Sequence, residues 1–525
     1  MAADYVIVGA GSAGCVLAGR LSEDPDVKVH LLEAGGPDTA PELHVPAMFP
    51  LAFKSSFDWD LLGEREPGLG GRRLYLPRGR VIGGSGSINA MIYLRGHRAD
   101  FDEWAASGCE GWSYDEVLPY FKRSEDNERG ENEFHGVGGP LAVSDSRSMC
   151  PLIDAELEAA VQAGYELIHD LNVDRPEGVG RFQLNQRDGK RCSTADAFLH
   201  PAAGRPNLEV TSGVFVERIV FEGERAVGVE LVRNGERETV RAEREVIVSG
   251  GAYHSPVLLM LSGIGPAADL ELFGIAVRQN LPVGENLQDH LMVNVNYLTD
   301  EQGLFGIFTP ENFALLESEG RGPLTSNYPE AGGFFVTRSG LPAPDVEFHF
   351  AAAPFFDEGL TPPPDNGYAF GPVIIKPTSR GKVGLRTPMP SSKPTVLCNF
   401  LTTEEDRASV LAGVRIALEI ASQPALKAIE REPFSVPASG SEKDIFAWVE
   451  RASQTVYHPA STCAMGAVVD PELRVYGVEG LRVVDASVMP TITRANTHAA
   501  TIMIAEKASD MILGKAPLAA ATAAA

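Results

Sequence analysis

The chain has 525 residues, 44% of them hydrophobic and 22% charged, so it can bury a large core and is not disordered at large. Its formal net charge of −26 argues against nucleic acid or an anionic membrane surface as a partner, because both would repel it. No stretch approaches the run of apolar residues that a spanning helix needs, and the six cysteines form no Cys-x-x-Cys unit, so a zinc knuckle, a redox pair or any other metal site is not expected.

The chain starts "MAADYVIVGAG" and runs directly into an apolar, β-branched strand, without the basic start of a signal peptide; isolated thiols and a cytoplasmic location are the expectation. After that strand come Gly9, Gly11 and Gly14, then a helical stretch, "AGCVLAGRL", and a second strand, "VKVHLLE", that ends at Glu33. Each part has a mechanical task. Gly9 makes the tight turn, Gly11 lets a pyrophosphate approach the backbone, and Gly14 lets helix and strand pack closely. The helix start offers free N–H groups and the positive end of its dipole to phosphates. Glu33 stands nineteen residues after Gly14, placed to accept from two ribose hydroxyls. This is a dinucleotide cradle; it does not distinguish NAD from FAD.

Residues 77–96, "PRGRVIGGSGSINAMIYLRG", are too rich in glycine for an ordinary helix or strand. Apolar residues grip both ends, which suits backbone laid against a flat ligand at Gly84 and its neighbours. Residues 208–232 alternate like the strands of a meander, and 250–265, "GGAYHSPVLLMLSGIG", read as a glycine pair leading into an apolar helix. Between 300 and 395 short strand-like pieces such as "DVEFHF" are punctuated by proline and glycine, and 404–430 read as one helix. In "DVEFHF" alternation sets Asp345, Glu347 and His349 on one face, looking either into a substrate cavity or at solvent. The last eleven residues, "KAPLAAATAAA", read as a frayed end.

Four of these segments in order, at 4–35, 77–96, 250–265 and 480–510, resemble the glucose–methanol–choline (GMC) oxidoreductases, the FAD-dependent alcohol oxidases and dehydrogenases, over nearly the whole chain. The resemblance implies an α/β fold, α+β overall: a Rossmann-like FAD-binding domain with a discontinuous substrate domain built on an antiparallel sheet. The FAD part would comprise 1–155, 201–298 and 450–515, the substrate part 156–200 and 299–449, with 516–525 as a tail.

By the same resemblance, Ser12, Ala13, Glu33 and Ala34 would meet the ADP half of FAD, and Val81, Asn89, Ala90 and Met91 its isoalloxazine and ribityl parts. Val216 would meet the adenine, Asp485 and Ala486 the ribityl–phosphate region, and Tyr457 and Thr497 would adjoin the flavin. Some relatives bond the flavin covalently through a histidine just before the asparagine; here that position is Ile88, so the FAD is expected to be non-covalent. His97 is expected to be structural.

The resemblance places the catalytic base on His458 in "VYHPASTCAMG" and its partner on Asn496 in "TRANTH". An imidazole with an ordinary pKa near 6.5 suits the uptake of a hydroxyl proton while hydride leaves the carbinol carbon. His498 is expected to point elsewhere, on extended backbone, and His349 is a candidate for contact with substrate. The implied reaction is oxidation of a primary alcohol (choline-like, aryl or aliphatic) to the aldehyde, with O₂ or a quinone- or dye-type acceptor. A lyase or decarboxylase on the same fold, or a flavin sensor without turnover, are the alternatives. Oligomeric state has no signature in the sequence.

Overall fold

The computed structural model describes residues 3–148 and 150–521. Two seven-stranded sheets organise it. The first contains β1 (Ala3–Val8), β2 (Val29–Leu32), β3 (Leu208–Thr211), β4 (Phe215–Glu222), β5 (Arg225–Arg233) and β6 (Glu236–Val248), in the order β3-β2-β1-β6-β5-β4. A last strand, Leu481–Val483, pairs with β6. Val6 and Ile7 are wholly buried, as a parallel strand covered on both faces requires.

β6 does two jobs because its sequence changes along its length. Its first part, "ERETVR", is mostly exposed and pairs antiparallel with β5; the rest, from Ala242, pairs parallel with β1 and ends in the buried "VIV". One strand thus joins a solvated meander to the dinucleotide sheet. The expected meander over 208–232 is shorter than that, since β3 leaves it and pairs parallel with β2.

The second sheet is antiparallel. It contains β7 (Leu291–Met292), β8 (Val295–Thr299), β9 (Pro329–Phe335), β10 (Val346–Ala351), β11 (Gly367–Ile374), β12 (Glu430–Ser435) and β13 (Gln454–Thr455). The order is β9-β10-β11-β7-β13, with β8 bridging β11 and β12. β7, β8 and β13 lie on the FAD side of the boundaries expected at 298/299 and 449/450, yet they pair in this sheet. All six residues of β10 are buried, so Glu347 and His349 do not face solvent.

Four helices matter for the site: α1 (Ser12–Leu21), α2 (Gly251–Leu261), α3 (Glu404–Ala421) and α4 (Thr497–Ile512). α3 is shorter than the single helix expected over 404–430. Gln423, preceding Pro424, is extended at φ −73°, ψ 152°, as pre-proline sterics favour, and a separate turn follows at Pro424–Lys427. α4 is tied to α1 where the buried Glu506 accepts from Arg20 Nε at 3.0 Å and Nη2 at 2.8 Å. In the first turns of the two helices, Ser12 Oγ lies 3.0 Å from His498 Nδ1, which sets the start of α4, next to Asn496, against the glycine turn.

No helix among the described residues is long and apolar enough to cross a membrane. The six cysteines are all free and buried. Of the tail expected to fray, 522–525 lie outside the described residues, whereas Leu518 and Ala521 donate backbone N–H groups to Tyr120 Oη and Asp115 O.

Candidate active site

A single cavity of about 1370 Å³ runs from the first glycine turn to the second sheet. An ordinary small-ligand pocket holds roughly 300–1,000 Å³, so this one has room for a dinucleotide and a second molecule. Gly9, Gly11, Ser12, Ala13, Glu33, Ala34, Gly84, Asn89, Ala90, Met91, Val216, Tyr457, Asp485, Ala486, Thr497, His349, His458 and Asn496 all lie on its wall. Two expected residues do not. Gly14 packs inside, where a Cβ would come within 1.9 Å of Gly9 O, which matches its helix-packing task. Val81 is wholly buried in an apolar cluster, its backbone bridged to Gly36, and Arg80 lines the cavity in its place.

The backbone at the turns is fitted to a closely held ligand. Gly9 has φ +102°, and a Cβ there would meet Ser249 O at 2.5 Å; one on Gly84 would meet Gly11 Cα at 2.7 Å. Two glycine turns therefore touch, forming one floor with the N-terminus of α1. Glu33 stands at the end of β2, its carboxylate accepting from Ala10 N at 2.8 Å and Gly35 N at 2.7 Å. Burial pushes its pKa up while those N–H groups pull it down. Each oxygen keeps a lone pair for a ribose hydroxyl. Asp485 is engaged likewise: it accepts from Gly251 N at 2.8 Å, Ser255 Oγ at 2.6 Å and Ser487 N at 2.8 Å, so it shapes the start of α2 as a cap.

Three buried wall atoms, Ser249 Oγ, Asn294 Oδ1 and Asn496 Oδ1, have no hydrogen-bond partner among the described residues. Buried polar groups are almost always satisfied, so a polar ligand fits this wall. With the touching glycine turns, the helix N-terminus, Glu33 and the cavity's size, they make the residues a fit for FAD.

The pair expected to do the chemistry meets. Register brings His458 to its neighbours: β7 and β13 run antiparallel with Leu291 opposite Thr455, so His290 O accepts from Val456 N at 3.1 Å, and His458 follows two residues further on. Their Nδ1 atoms lie 3.0 Å apart. On the other side, Asn496 Nδ2 lies 3.1 Å from His458 Nε2. Asn496 is the N-cap of α4, but its side chain makes no capping bond and turns to His458 instead. An amide nitrogen only donates, so Nε2 accepts. Nδ1 then carries the ring proton and donates to His290. The unprotonated nitrogen is the one facing Asn496.

Asp289 holds this arrangement from behind, accepting from His458 N at 2.8 Å and Thr455 Oγ1 at 2.6 Å. Arg78 Nη2 donates to Tyr457 O at 2.5 Å. Burial drives the His458 pKa well below its ordinary value, and the Arg78 guanidinium adds to the same direction. The imidazole is a neutral acceptor. Tyr457, Met91 and Tyr328 all line the cavity with φ of +69°, +58° and +69°, costly for such side chains and typical of a functional site.

Other histidines sort by position. His97 Nδ1 accepts from Ala99 N at 3.0 Å and caps the helix Arg98–Ala106. His498 is not on extended backbone: it lies in the first turn of α4, on the cavity wall, its Nδ1 3.0 Å from Ser12 Oγ. His349 lines the cavity and bonds Glu347 Oε1 at 3.1 Å.

Sequence reasoning passed over His290, Arg78, Arg191 and the pair Trp59–His254, whose rings stack at 4.3 Å on the wall near Val216. Arg191 is buried and donates to Leu43 O, Gly86 O, Asn89 O and Asn89 Oδ1 at 2.7, 3.1, 2.7 and 2.6 Å. No carboxylate bonds it, and burial lowers its pKa to about 9. None of these residues belongs to a local motif; only His254 and Arg78 fall inside glycine segments that the sequence singles out.

A sheet with a parallel core and a glycine turn at the end of its first strand, opening to a histidine–asparagine pair, is the arrangement of a dinucleotide-dependent oxidoreductase. The GMC oxidoreductase models match residues 3–292 and 377–505. The chain is 44% identical to human mitochondrial choline dehydrogenase over 98% of this chain and 90% of that one. It is 42% identical to the oxygen-dependent choline dehydrogenase of Brucella canis over 99% and 97%. Among solved structures, pyridoxine 4-oxidase from Mesorbium loti matches with TM-score 0.89 and 34% identity over 97% of this chain and 98% of that one. The protein belongs to the GMC oxidoreductase family, and that membership implies FAD.

Proposed function

We propose that the protein oxidises a primary alcohol to its aldehyde, with His458 as the base and Asn496 as the group that holds the alcohol oxygen. The observation that carries this reading is the His458–Asn496 contact on the cavity wall, with the lone pair of Nε2 turned to the amide. An alcohol that reaches both groups takes the Asn496 N–H as an acceptor and yields its hydroxyl proton to Nε2. FAD, when bound, supplies the acceptor for the hydride that leaves the carbinol carbon. His290 receives the Nδ1 proton of His458 in a hydrogen bond and so keeps Nε2 bare; it is a positioning residue.

FAD would rest on Gly9, Gly11, Ser12 and Ala13, with Glu33 toward its ribose and Gly84–Met91 along its ring. We propose that it is held without a covalent bond, since Ile88 occupies the position before Asn89 on the wall. Acid precipitation is expected to release all the flavin into the supernatant; colour retained in the pellet would refute this. The proposed division of the chain follows the two sheets, with boundaries near 290 and 455, and the proposed compartment is the cytoplasm. O₂ or a quinone-type molecule would reoxidise the cofactor.

The pH dependence has a definite sign. The base must be neutral to work, and burial depresses its pKa, so activity persists as pH falls through the ordinary histidine value of about 6.5 and is lost only lower down. The acid limb of kcat/KM for anaerobic flavin reduction is therefore expected below pH 6.5. His290, whose own pKa burial lowers to about 3, is neutral and accepts from Nδ1, a bond that favours the charged ring, so His290→Phe is expected to move that limb further down as well as slow the reaction. A variant that loses rate with an unmoved limb would reduce His290 to packing.

A further inference from the structure

We propose, on the reading just given, that the alcohol admitted to this site is uncharged and carries an apolar chain or ring, and that a trimethylammonium alcohol such as choline is disfavoured. The argument starts from the charges on the wall. Four acids line the cavity: Glu33, Asp58, Glu217 and Asp485. Glu33 is held by the backbone N–H groups of Ala10 and Gly35, and Asp485 by those of Gly251 and Ser487, at the dinucleotide end. Asp58 accepts from Tyr75 Oη at 2.5 Å and Arg78 N at 3.0 Å, and Glu217 pairs with Arg237 at 2.8 Å. None is left to face an ammonium.

On the substrate side, Glu347 is wholly buried and bonded to His349, so the imidazole and not the carboxylate lines the chamber. Glu358 lies off the wall, 3.6 Å from Arg72. Burial comes first among the causes that keep His458 neutral, and the nearby Arg78 guanidinium, a permanent cation, adds to it. Surroundings that keep an imidazole neutral are equally unfavourable to a quaternary ammonium placed beside it.

The rest of the chamber is mostly apolar, and the buried Asn294 amide on its wall carries no charge. Phe49, Tyr328, Met292, Val456 and Phe355 form its walls, with Phe49 and Tyr328 edge to face at 5.9 Å. Its mouth is lined by exposed apolar side chains: Leu51 at 56%, Phe305 at 45%, Phe308 at 46% and Leu360 at 39% exposure. On a chain of net charge −26, large apolar residues gathered around one opening mark a ligand entrance. Aromatic faces do attract a quaternary ammonium, but each recovers only part of the hydration that an unpaired charge loses on burial, and no carboxylate faces the chamber to make up the difference.

The test uses the FAD-loaded enzyme, mixed without air with choline, with its neutral isostere 3,3-dimethyl-1-butanol, and with a series of linear primary alcohols. The isostere has the same shape as choline and lacks only the charge. Its kcat/KM for flavin bleaching is expected to exceed that of choline by about 100-fold or more, the scale set by desolvating an unpaired charge. In the linear series kcat/KM is expected to rise about fourfold per methylene until the chamber is filled. Phe308→Ala, at an exposed position that the fold does not depend on, is expected to flatten that rise. Equal or better use of choline, or a flat series, would overturn the inference. If no alcohol bleaches the flavin, the proposed function fails instead.

Discussion

His458→Ala is expected to purify with its full complement of flavin and to reduce it with alcohol some 10²–10⁴ times more slowly, the range that a positioned general base supplies. The retention follows from where the side chain sits. His458 makes side-chain bonds only to His290 and Asn496, and the touching glycine turns that form the cofactor floor do not rest on it. The loss follows from its atoms: Nε2, 3.1 Å from the Asn496 amide, is the acceptor beside the group that holds the alcohol, and alanine removes it. Anaerobic stopped-flow absorbance reads the outcome directly, and a variant reduced at the parental rate ends the assignment. Asn496→Ala offers a contrast, because it leaves the base in place and removes the group that orients the alcohol; its loss is expected mainly as a raised KM with a smaller fall in rate.

Arg191→Met is expected to yield pale protein whose affinity for added FAD has dropped by about a hundredfold or more. Arg191 is buried with no carboxylate partner, and its guanidinium is shared among four oxygens at Leu43, Gly86 and Asn89. Each buried acceptor left without a donor costs about 1–3 kcal/mol, so two such losses in the 86–89 segment reach that scale. Gly86 and Asn89 lie on the cavity wall, so the disturbance is delivered where the cofactor would rest. Fluorescence titration of the apoprotein with FAD measures the affinity, and a thermal melt with and without FAD distinguishes a weakened site from an unfolded chain. Arg191→Lys, which keeps the charge but not the planar fork, is expected to fall between. Unchanged FAD affinity in Arg191→Met would show the loop to be held by other means.

The dinucleotide turn was legible because its causes are local. A strand, three glycines, a helix and an acid follow one another within thirty residues, and backbone sterics dictate what such a run does. The non-local features were not. The expected helix over 404–430 was broken by Pro424, a signal present in the sequence but outweighed by the apolar periodicity around it. Val81 looked like a residue of the ligand loop, yet in a glycine-rich run no periodicity says which way a side chain turns; its bridge to Gly36 faces it inward and leaves Arg80 on the wall. His498 was misread for a similar reason. Nothing local announces that α4 begins at Thr497, and helical backbone carries the ring back to Ser12.

By itself the sequence determined the dinucleotide turn, whose sterics are short-range, and its resemblance to the GMC oxidoreductases supplied the expected class of fold and the candidacy of His458 and Asn496. Only the tertiary structure decided which histidine His458 meets. His290 is 168 positions away, and the encounter depends on the register of two two-residue strands, Leu291 against Thr455. The charge around the chamber was likewise decided in three dimensions: whether an acid faces a substrate depends on which backbone amides and arginines reach it first, and those partners come from every part of the chain.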